Sequence, residues 1–172
     1  MPAKYRGFKA GGPVSKHLGC SGIETHFSYN PSNKKPSAMS QARSLYVAHY
    51  GHPLLKGAKH WSFLLYKPGD QHAKAYQLTG STTTYEVKQP EEVTPAKSSS
   101  FMGQVPVGHI AESHVAAFEQ MVLGLPITRG NTAWNCQNWI IGALAALKAN
   151  GFNVTAYGLE DLRKLLAEAT PA

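Results

Sequence analysis

The chain has 172 residues, of which 42% are hydrophobic and 10% aromatic, and this composition is typical of a folded globular protein. No apolar run in residues 1–12 marks a secretory signal, and the longest apolar stretch, residues 139–147, is far shorter than a membrane span. We therefore expect no membrane span and a cytoplasmic or nuclear location, where both cysteines would stay reduced.

The net charge of +7 is concentrated at the beginning of the chain. Residues 1–43 contain seven basic residues against Glu24 alone, a net charge of +6, whereas the rest has ten basic and nine acidic residues, a net charge of +1. Residues 1–43 are also rich in Gly, Ser, Pro and Asn, which cannot build a core. The sequence predicts a flexible basic segment at 1–43, not expected to bind nucleic acid, and a single folded domain at 44–172.

Five strands are predicted in the first part of the folded domain, from short runs of apolar and β-branched residues bounded by turn signals. They are expected at residues 45–48, 60–66, 73–79, 83–87 and 101–110. The last contains Pro106, so it should lie at a sheet edge or carry a bulge. The polar stretch 90–100 is predicted to be a loop.

Three helices are predicted after the strands. Ser113 is expected to cap a helix ending near residue 123, Asn135 a second helix ending near 148, and a third helix spans residues 159–169. The second is apolar nearly all round and should therefore be central. Strands followed by helices predict an α+β fold in which an antiparallel sheet packs on a central buried helix.

Cys136 is the residue best suited to carry chemistry. It lies in the first turn of the apolar helix, where free amides and the positive end of the helix dipole favour the nucleophilic thiolate. Asn135, Gln137 and Asn138 make this turn more polar than a structural helix start requires. A thiolate nucleophile needs a histidine partner, and His60, which opens a strong predicted strand, is the most distinctive of the eight histidines.

The pair His60-Trp61, followed much later by Asn135-Cys136-Gln137-Asn138-Trp139, resembles the circularly permuted papain-like group. This group includes lecithin–retinol acyltransferase-like and PPPDE-type thiol hydrolases, and the chain looks closest to its fungal members. The resemblance covers about residues 44–150. It implies a permuted papain-like fold, with Cys136 as the nucleophile and His60 as its base.

The same resemblance implies a third polar residue that orients the imidazole. The matching position is Gln77, where better-known members carry a histidine, and His72 and Asp70 are nearby alternatives. The oxyanion donors would be the Cys136 N–H and the side chain of Gln137 or Asn138, with Asn135 and Trp61 beside them.

The activity implied is thiol-dependent hydrolysis or acyl transfer at an amide, isopeptide or ester bond. The substrate would be a protein, a peptide or an acyl compound, and no cofactor or metal is implied. The rival from another class is a non-catalytic binding module on the same fold. It is favoured by Gln77, because a neutral amide stabilises an imidazolium less than a carboxylate does.

Simpler interpretations stay open for each of these residues. Cys136 can be an ordinary buried thiol, and His60 can bond a carbonyl at a strand end. His49 and His52 together with His60 and Cys136 offer metal ligands, but no CxxC or HExxH motif supports a metal site. Cys20, in the predicted flexible segment, is expected to be inert.

Overall fold

The computed structural model describes residues 42–51 and 58–171, all within one compact unit, Lys35–Ala172. Almost all of the predicted flexible segment 1–43, including Cys20, lies outside the described residues, as does His52. The described part contains seven strands and three α-helices. The strands are β1 (Ala42–Tyr50), β2 (His60–Tyr66), β3 (Ala73–Thr79), β4 (Glu86–Val87), β5 (Glu91–Val93), β6 (Phe101–Ala111) and β7 (Asn153–Val154), and the helices are α1 (Val115–Leu123), α2 (Cys136–Ala149) and α3 (Leu159–Glu168).

All strand pairs in the sheet are antiparallel, in the order β4-β3-β2-β1-β6-β7, and β5 pairs with another part of β3. Helix α2 packs on β2, and buried residues of both belong to the same core cluster. The predicted α+β class with an antiparallel sheet is confirmed.

Side chains of β2 alternate between two buried faces. Trp61, Phe63 and Leu65 belong to the core cluster that contains α2, whereas Leu64 belongs to a smaller cluster with Phe101 on the opposite face. Burial on both faces explains why β2 reads as an almost continuous apolar run. His60 is the first residue of β2 and therefore lies at one end of the sheet.

Strand β6 contains the bulge that Pro106 predicts, and its pairing with β7 is confined to Gly108 and His109, beyond Pro106. The register passes from Leu45 opposite Gly108 to Tyr46 opposite Pro106, so one extra residue, Val107, is inserted in β6. Pro106 lies directly at this bulge, where a residue without a backbone N–H is tolerated.

Three local predictions were wrong. The predicted fourth strand is reduced to β4, because the chain turns tightly at Gly80 (φ 92°), where a Cβ would lie 2.5 Å from the Thr84 carbonyl oxygen. The predicted loop 90–100 contains β5 and a 3-10 turn, Pro95–Lys97. Ser113 lies in another 3-10 turn and does not cap α1, whose N-cap is His114 with no side-chain cap bond.

The predictions for α2 and α3 were confirmed. Helix α2 begins at Cys136 with Asn135 as its N-cap, and it ends at Ala149 with Asn150 as its C-cap. Helix α3 is amphipathic, with Leu162 and Leu166 buried. No helix in residues 42–51 and 58–171 is long and apolar enough to cross a membrane.

Candidate active site

The thiol of Cys136 is fixed by the cap of helix α2. The Asn135 side-chain oxygen accepts from the Gln137 N–H at 2.9 Å, and the Asn138 side-chain oxygen accepts from the Asn135 N–H at 3.0 Å. This is a capping box, and it uses the amides of the second and third helical residues. Cys136, the first helical residue, therefore sits at the positive end of a well-ordered helix.

Gln137 ties the start of α2 to the start of β2. Its side chain is 3% exposed, and its Nε2 donates to the Lys59 carbonyl oxygen at 2.9 Å. Lys59 directly precedes His60 in the chain. This single bond therefore helps to set the position of the thiol relative to the imidazole.

The Cys136 thiol and the His60 imidazole line the same cleft, and each shifts the pKa of the other. Burial raises the pKa of the Cys136 thiol, but hydrogen bonds from His60 and the Trp61 backbone N–H outweigh it, so this pKa is lowered overall. Burial lowers the pKa of His60, but the hydrogen bond and charge interaction with Cys136 outweigh it, so this pKa is raised overall. Both shifts favour a thiolate beside an imidazolium.

Gln77 determines which nitrogen of His60 faces the thiol. The Oε1 atom of Gln77 lies 2.7 Å from His60 Nε2, and Gln77 Nε2 donates to Glu91 Oε1 at 2.9 Å. The bond to Glu91 fixes the orientation of the amide, so Oε1 can only accept from His60. His60 Nε2 is therefore a donor, which leaves Nδ1 for Cys136.

The sheet register explains why Gln77 reaches His60. Gln77 lies directly opposite Ser62, and His60 is two residues before Ser62 on the same face of β2. Gln77 and His60 are thus diagonal neighbours, within reach of long side chains.

Glu91 and Lys88 extend this contact and were missed in the sequence. Lys88 Nζ donates to Glu91 Oε1 at 2.6 Å, so Glu91 accepts from both Lys88 and Gln77. Glu91 lies in the predicted loop 90–100 and Lys88 just before it, and the one available signal was their pair of opposite charges three residues apart. We call His60, Gln77, Glu91 and Lys88 the thiol network.

The pair opens into a cleft of about 310 Å³, which we call the thiol cleft. Its walls include Leu78, Tyr85 and Trp134, and the rings of Tyr85 and Trp134 meet edge to face at 5.5 Å. Arg129 Nε donates to the Tyr85 carbonyl oxygen at 2.7 Å, which ties the segment before α2 to the β4 region. One wall of the cleft is therefore apolar and aromatic.

The structure brings some of the predicted site residues to the thiol and not others. Cys136, His60 and Gln77 come together, whereas the Trp61 side chain lines a different cavity. The Gln137 side chain is engaged by Lys59 and Arg163 and is not aimed at the thiol.

The alternative residues lie away from the pair. His72 contacts Asp70 at 3.0 Å on an exposed turn, and neither lines the thiol cleft. His49 lines a different cavity. Within residues 42–51 and 58–171, no group of three or more His, Cys, Asp or Glu side chains is placed to hold a metal ion.

A family model with the description "Family of unknown function (DUF6540)" matches residues 45–153, well over half of the chain. The match includes His60, Gln77 and Cys136. No curated protein and no solved structure matches the chain significantly. Function must therefore be inferred from the chemistry of the site.

Proposed function

The chain belongs to DUF6540, a family of unknown function, and we propose that it is a thiol-dependent hydrolase or acyltransferase. The bond attacked is an amide, an isopeptide or an ester in a protein, peptide or acyl substrate. The proposed nucleophile is Cys136 and the proposed acid–base group is His60. The resemblance to permuted papain-like proteins, carried by the same residues, belongs to this proposal.

The observation that carries the proposal is that Cys136 and His60 line one open cleft and shift each other's pKa, while Gln77 holds the far nitrogen of His60. A buried structural thiol has no need of a histidine whose far nitrogen is held by a second polar side chain. The combination of a helix-terminal thiol, a histidine and an orienting amide is the arrangement that nucleophilic thiol catalysis requires.

The reaction follows from the positions of the protons. The Cys136 thiolate attacks the substrate carbonyl carbon, and the carbonyl electrons move to its oxygen. When the tetrahedral intermediate collapses, the bond to the leaving nitrogen or oxygen breaks, and His60 gives that atom its Nδ1 proton. A thioester on Cys136 remains.

The second half returns the site to its starting state. His60, now neutral, takes a proton from water, and the resulting hydroxide attacks the thioester carbonyl. The acid leaves, and Cys136 is again a thiolate beside an imidazolium. In acyl transfer an amine or alcohol takes the place of water. Gln77 keeps the imidazole in the same orientation throughout by accepting from Nε2.

The competing function, a binding module without efficient chemistry, is favoured by the neutral amide of Gln77. Such an amide orients an imidazole but adds no negative charge to stabilise its protonated form.

Acetylation by p-nitrophenyl acetate separates the two functions. We expect acetyl transfer to Cys136, seen by mass spectrometry of the digested protein, followed by slow continued release of nitrophenolate. The Cys136→Ser variant should lose the acetyl thioester at that position. Cys20 serves as the comparison thiol in the same sample. A folded protein whose Cys136 is acetylated no faster than Cys20 contradicts the catalytic proposal and supports the binding module.

A further inference from the structure

A second cavity, of about 520 Å³, adjoins the thiol cleft and shares Ala58 and Lys59 with it. We call it the Arg163 cavity. Its volume lies in the range of about 300–1,000 Å³ that holds small molecules. Trp61, Met102 and Leu166 supply an apolar wall. The thiol chemistry assigns no role to this space.

The described lining of the Arg163 cavity carries positive charge and no negative charge. Lys59 and Arg163 line it, and none of its described lining residues is Asp or Glu. Glu160 pairs with Arg163 at 2.6 Å and offsets part of its charge, but the Glu160 side chain is 71% exposed and does not line the cavity. The cavity therefore favours an anion over a cation.

The guanidinium of Arg163 is held in place before any ligand arrives. Its Nε and Nη2 donate to Gln137 Oε1 at 2.9 and 2.8 Å, and its Nη1 donates to Glu160 at 2.6 Å. These bonds use three of the five N–H donors of the group. Gln137 is itself buried and holds the partly exposed Arg163 side chain in place, which leaves two N–H donors to bind a carboxylate or phosphate.

His49 gives the cavity a second unusual feature. It is 5% exposed, and its Nε2 is buried with no hydrogen-bond partner among the described residues. Burial lowers the pKa of His49, although a hydrogen bond to the Met102 backbone opposes this, so the ring is neutral near pH 7. A negative charge nearby would favour the protonated ring and give Nε2 a proton to donate. An anion in the cavity would therefore attract the protonated ring through its charge, without needing to contact the enclosed Nε2 atom.

We propose that the Arg163 cavity binds an organic anion, a carboxylate or phosphate attached to a small apolar group. Arg163 and Lys59 contact the anionic head, and the apolar part lies against Trp61 and Leu166. Because the cavity adjoins the thiol cleft, this anion is one side of the acyl substrate, an assignment that rests on the proposed thiol chemistry. The anion site itself does not depend on that chemistry.

The three tryptophan indole resonances of the full chain test the site directly. Trp61 lines the Arg163 cavity, Trp134 lines the thiol cleft, and Trp139 is buried in the core. The probes are propanoate, its neutral isostere propanamide, and inorganic phosphate. We expect at least one of the two anions to shift the Trp61 resonance saturably, propanamide to leave it unshifted, and Trp139 to stay in place.

The two anionic probes also identify the head group, since a response to only one of them selects carboxylate or phosphate. No saturable Trp61 shift with either anion overturns the proposal. An equal shift with propanamide overturns it as well, because binding would then not depend on charge.

Two variants on the same helix supply the matched comparison. Arg163→Gln should weaken anion binding at least about tenfold. Lys164→Gln removes the same charge from an exposed residue that does not line the cavity, and should leave binding unchanged. Equal weakening in both variants would mean unspecific attraction and would overturn the site. If Arg163→Gln fails to fold, Arg163→Lys keeps the charge without the guanidinium, and unchanged affinity in that variant overturns the proposal.

Acetylation of Cys136, measured on the same samples, keeps the two proposals apart. Acetylation without a Trp61 response overturns the anion site alone. A Trp61 response without acetylation overturns the thiol chemistry and leaves the anion site standing.

Discussion

Two polar networks begin at neighbouring residues of β3 and use nearly the same chemistry. Tyr76 points to the helix side of the sheet, where its hydroxyl and Lys74 Nζ both donate to Glu119 Oε1 at 2.7 Å. Glu119 lies on α1, so this helix network ties α1 to the sheet. Burial raises the pKa of Glu119, but hydrogen bonds from Lys74 and Tyr76 outweigh it and lower the pKa overall.

Gln77, the next residue, points to the other face and joins the thiol network. Its amide donates to Glu91, which also accepts from Lys88, and its oxygen accepts from His60. Glu91 is 40% exposed, whereas Glu119 is 26% exposed. One Glu–Lys pair, at Glu119, is more buried and stabilises the fold. The other pair, at Glu91, is more exposed and helps to orient a histidine.

The comparison shows that the type of polar group does not decide its function. What decides it is the group at the far end of each network. The helix network ends on a fully buried tyrosine, so its loss should cost stability. The thiol network ends on a histidine beside a thiol, so its loss should change reactivity. Four predictions separate these outcomes.

The largest effect on the reactivity of Cys136 is expected when His60, the residue of the thiol network beside the thiol, is removed. His60→Ala removes the partner of the Cys136 thiolate and the proton donor for the leaving group. Acetylation of Cys136 by p-nitrophenyl acetate should slow by about 100-fold at neutral pH. The matched control, His72→Ala, removes an exposed histidine outside the cleft and should leave the rate unchanged. A His60→Ala rate within a factor of two of the parent would show that the pair has no catalytic role.

The next largest effect is expected on the stability of the fold, when the helix network loses Glu119. Glu119→Ala leaves the buried Tyr76 hydroxyl without its acceptor, at a cost of about 1–2 kcal/mol in the free energy of unfolding. Urea denaturation measures this cost, and Glu91→Ala, an exposed pair, should cost less than about 1 kcal/mol. The pKa of Glu119 is lowered in the folded state, so its contribution exists above its ordinary value and is lost as pH falls through the folded pKa. Equal costs for the two variants would contradict the distinction between the networks.

Moving the carboxylate from position 91 to position 77 should change the reactivity of Cys136 by a few-fold. Gln77→Glu alone places two carboxylates in contact, so we expect loss of the orienting bond and a slower Cys136. Gln77→Glu combined with Glu91→Gln puts the negative charge directly on His60 and restores an amide beside it. This double variant should react faster than the parent chain, since a carboxylate stabilises the imidazolium more than an amide does.

The double-mutant cycle gives the coupling energy between the two positions. The control cycle uses Glu119→Gln in place of Glu91→Gln. Its coupling energy with Gln77→Glu should be zero. A double variant as slow as Gln77→Glu alone would argue that Gln77 does not orient His60.

The smallest effect concerns the pH dependence. Reactivity should fall at acid pH as Cys136 is protonated, below the ordinary thiol range because its pKa is lowered. It should fall at alkaline pH as His60 loses its proton, above the ordinary imidazole range because its pKa is raised. Lys88 lowers the pKa of His60 through its charge, so Lys88→Gln should move the alkaline limb upward.

Lys74→Gln is the control, because it removes the lysine of the helix network. Its alkaline limb should coincide with that of the parent chain. A downward movement in Lys88→Gln would have the wrong sign for the electrostatic explanation.

The sequence by itself determined the elements whose signals are local. The bounds of β2 and β3, the start of α2 and its Asn135 cap were all predicted, because alternation, helical periodicity and capping depend on residues within a few positions of one another. Cys136 stood out for the same reason, since the first turn of an apolar helix is recognisable in one stretch of sequence.

Only the tertiary structure decided what lies around that thiol. Strands β4 and β5 are two and three residues long and exist through their pairing with β3, which no local pattern encodes. Glu91 reaches Gln77 across that pairing, and Gln137 turns to Lys59 and Arg163 although it directly follows Cys136. Side-chain partners distant in sequence are set by strand register and helix packing, and these depend on the free energy of the whole core rather than of any one segment.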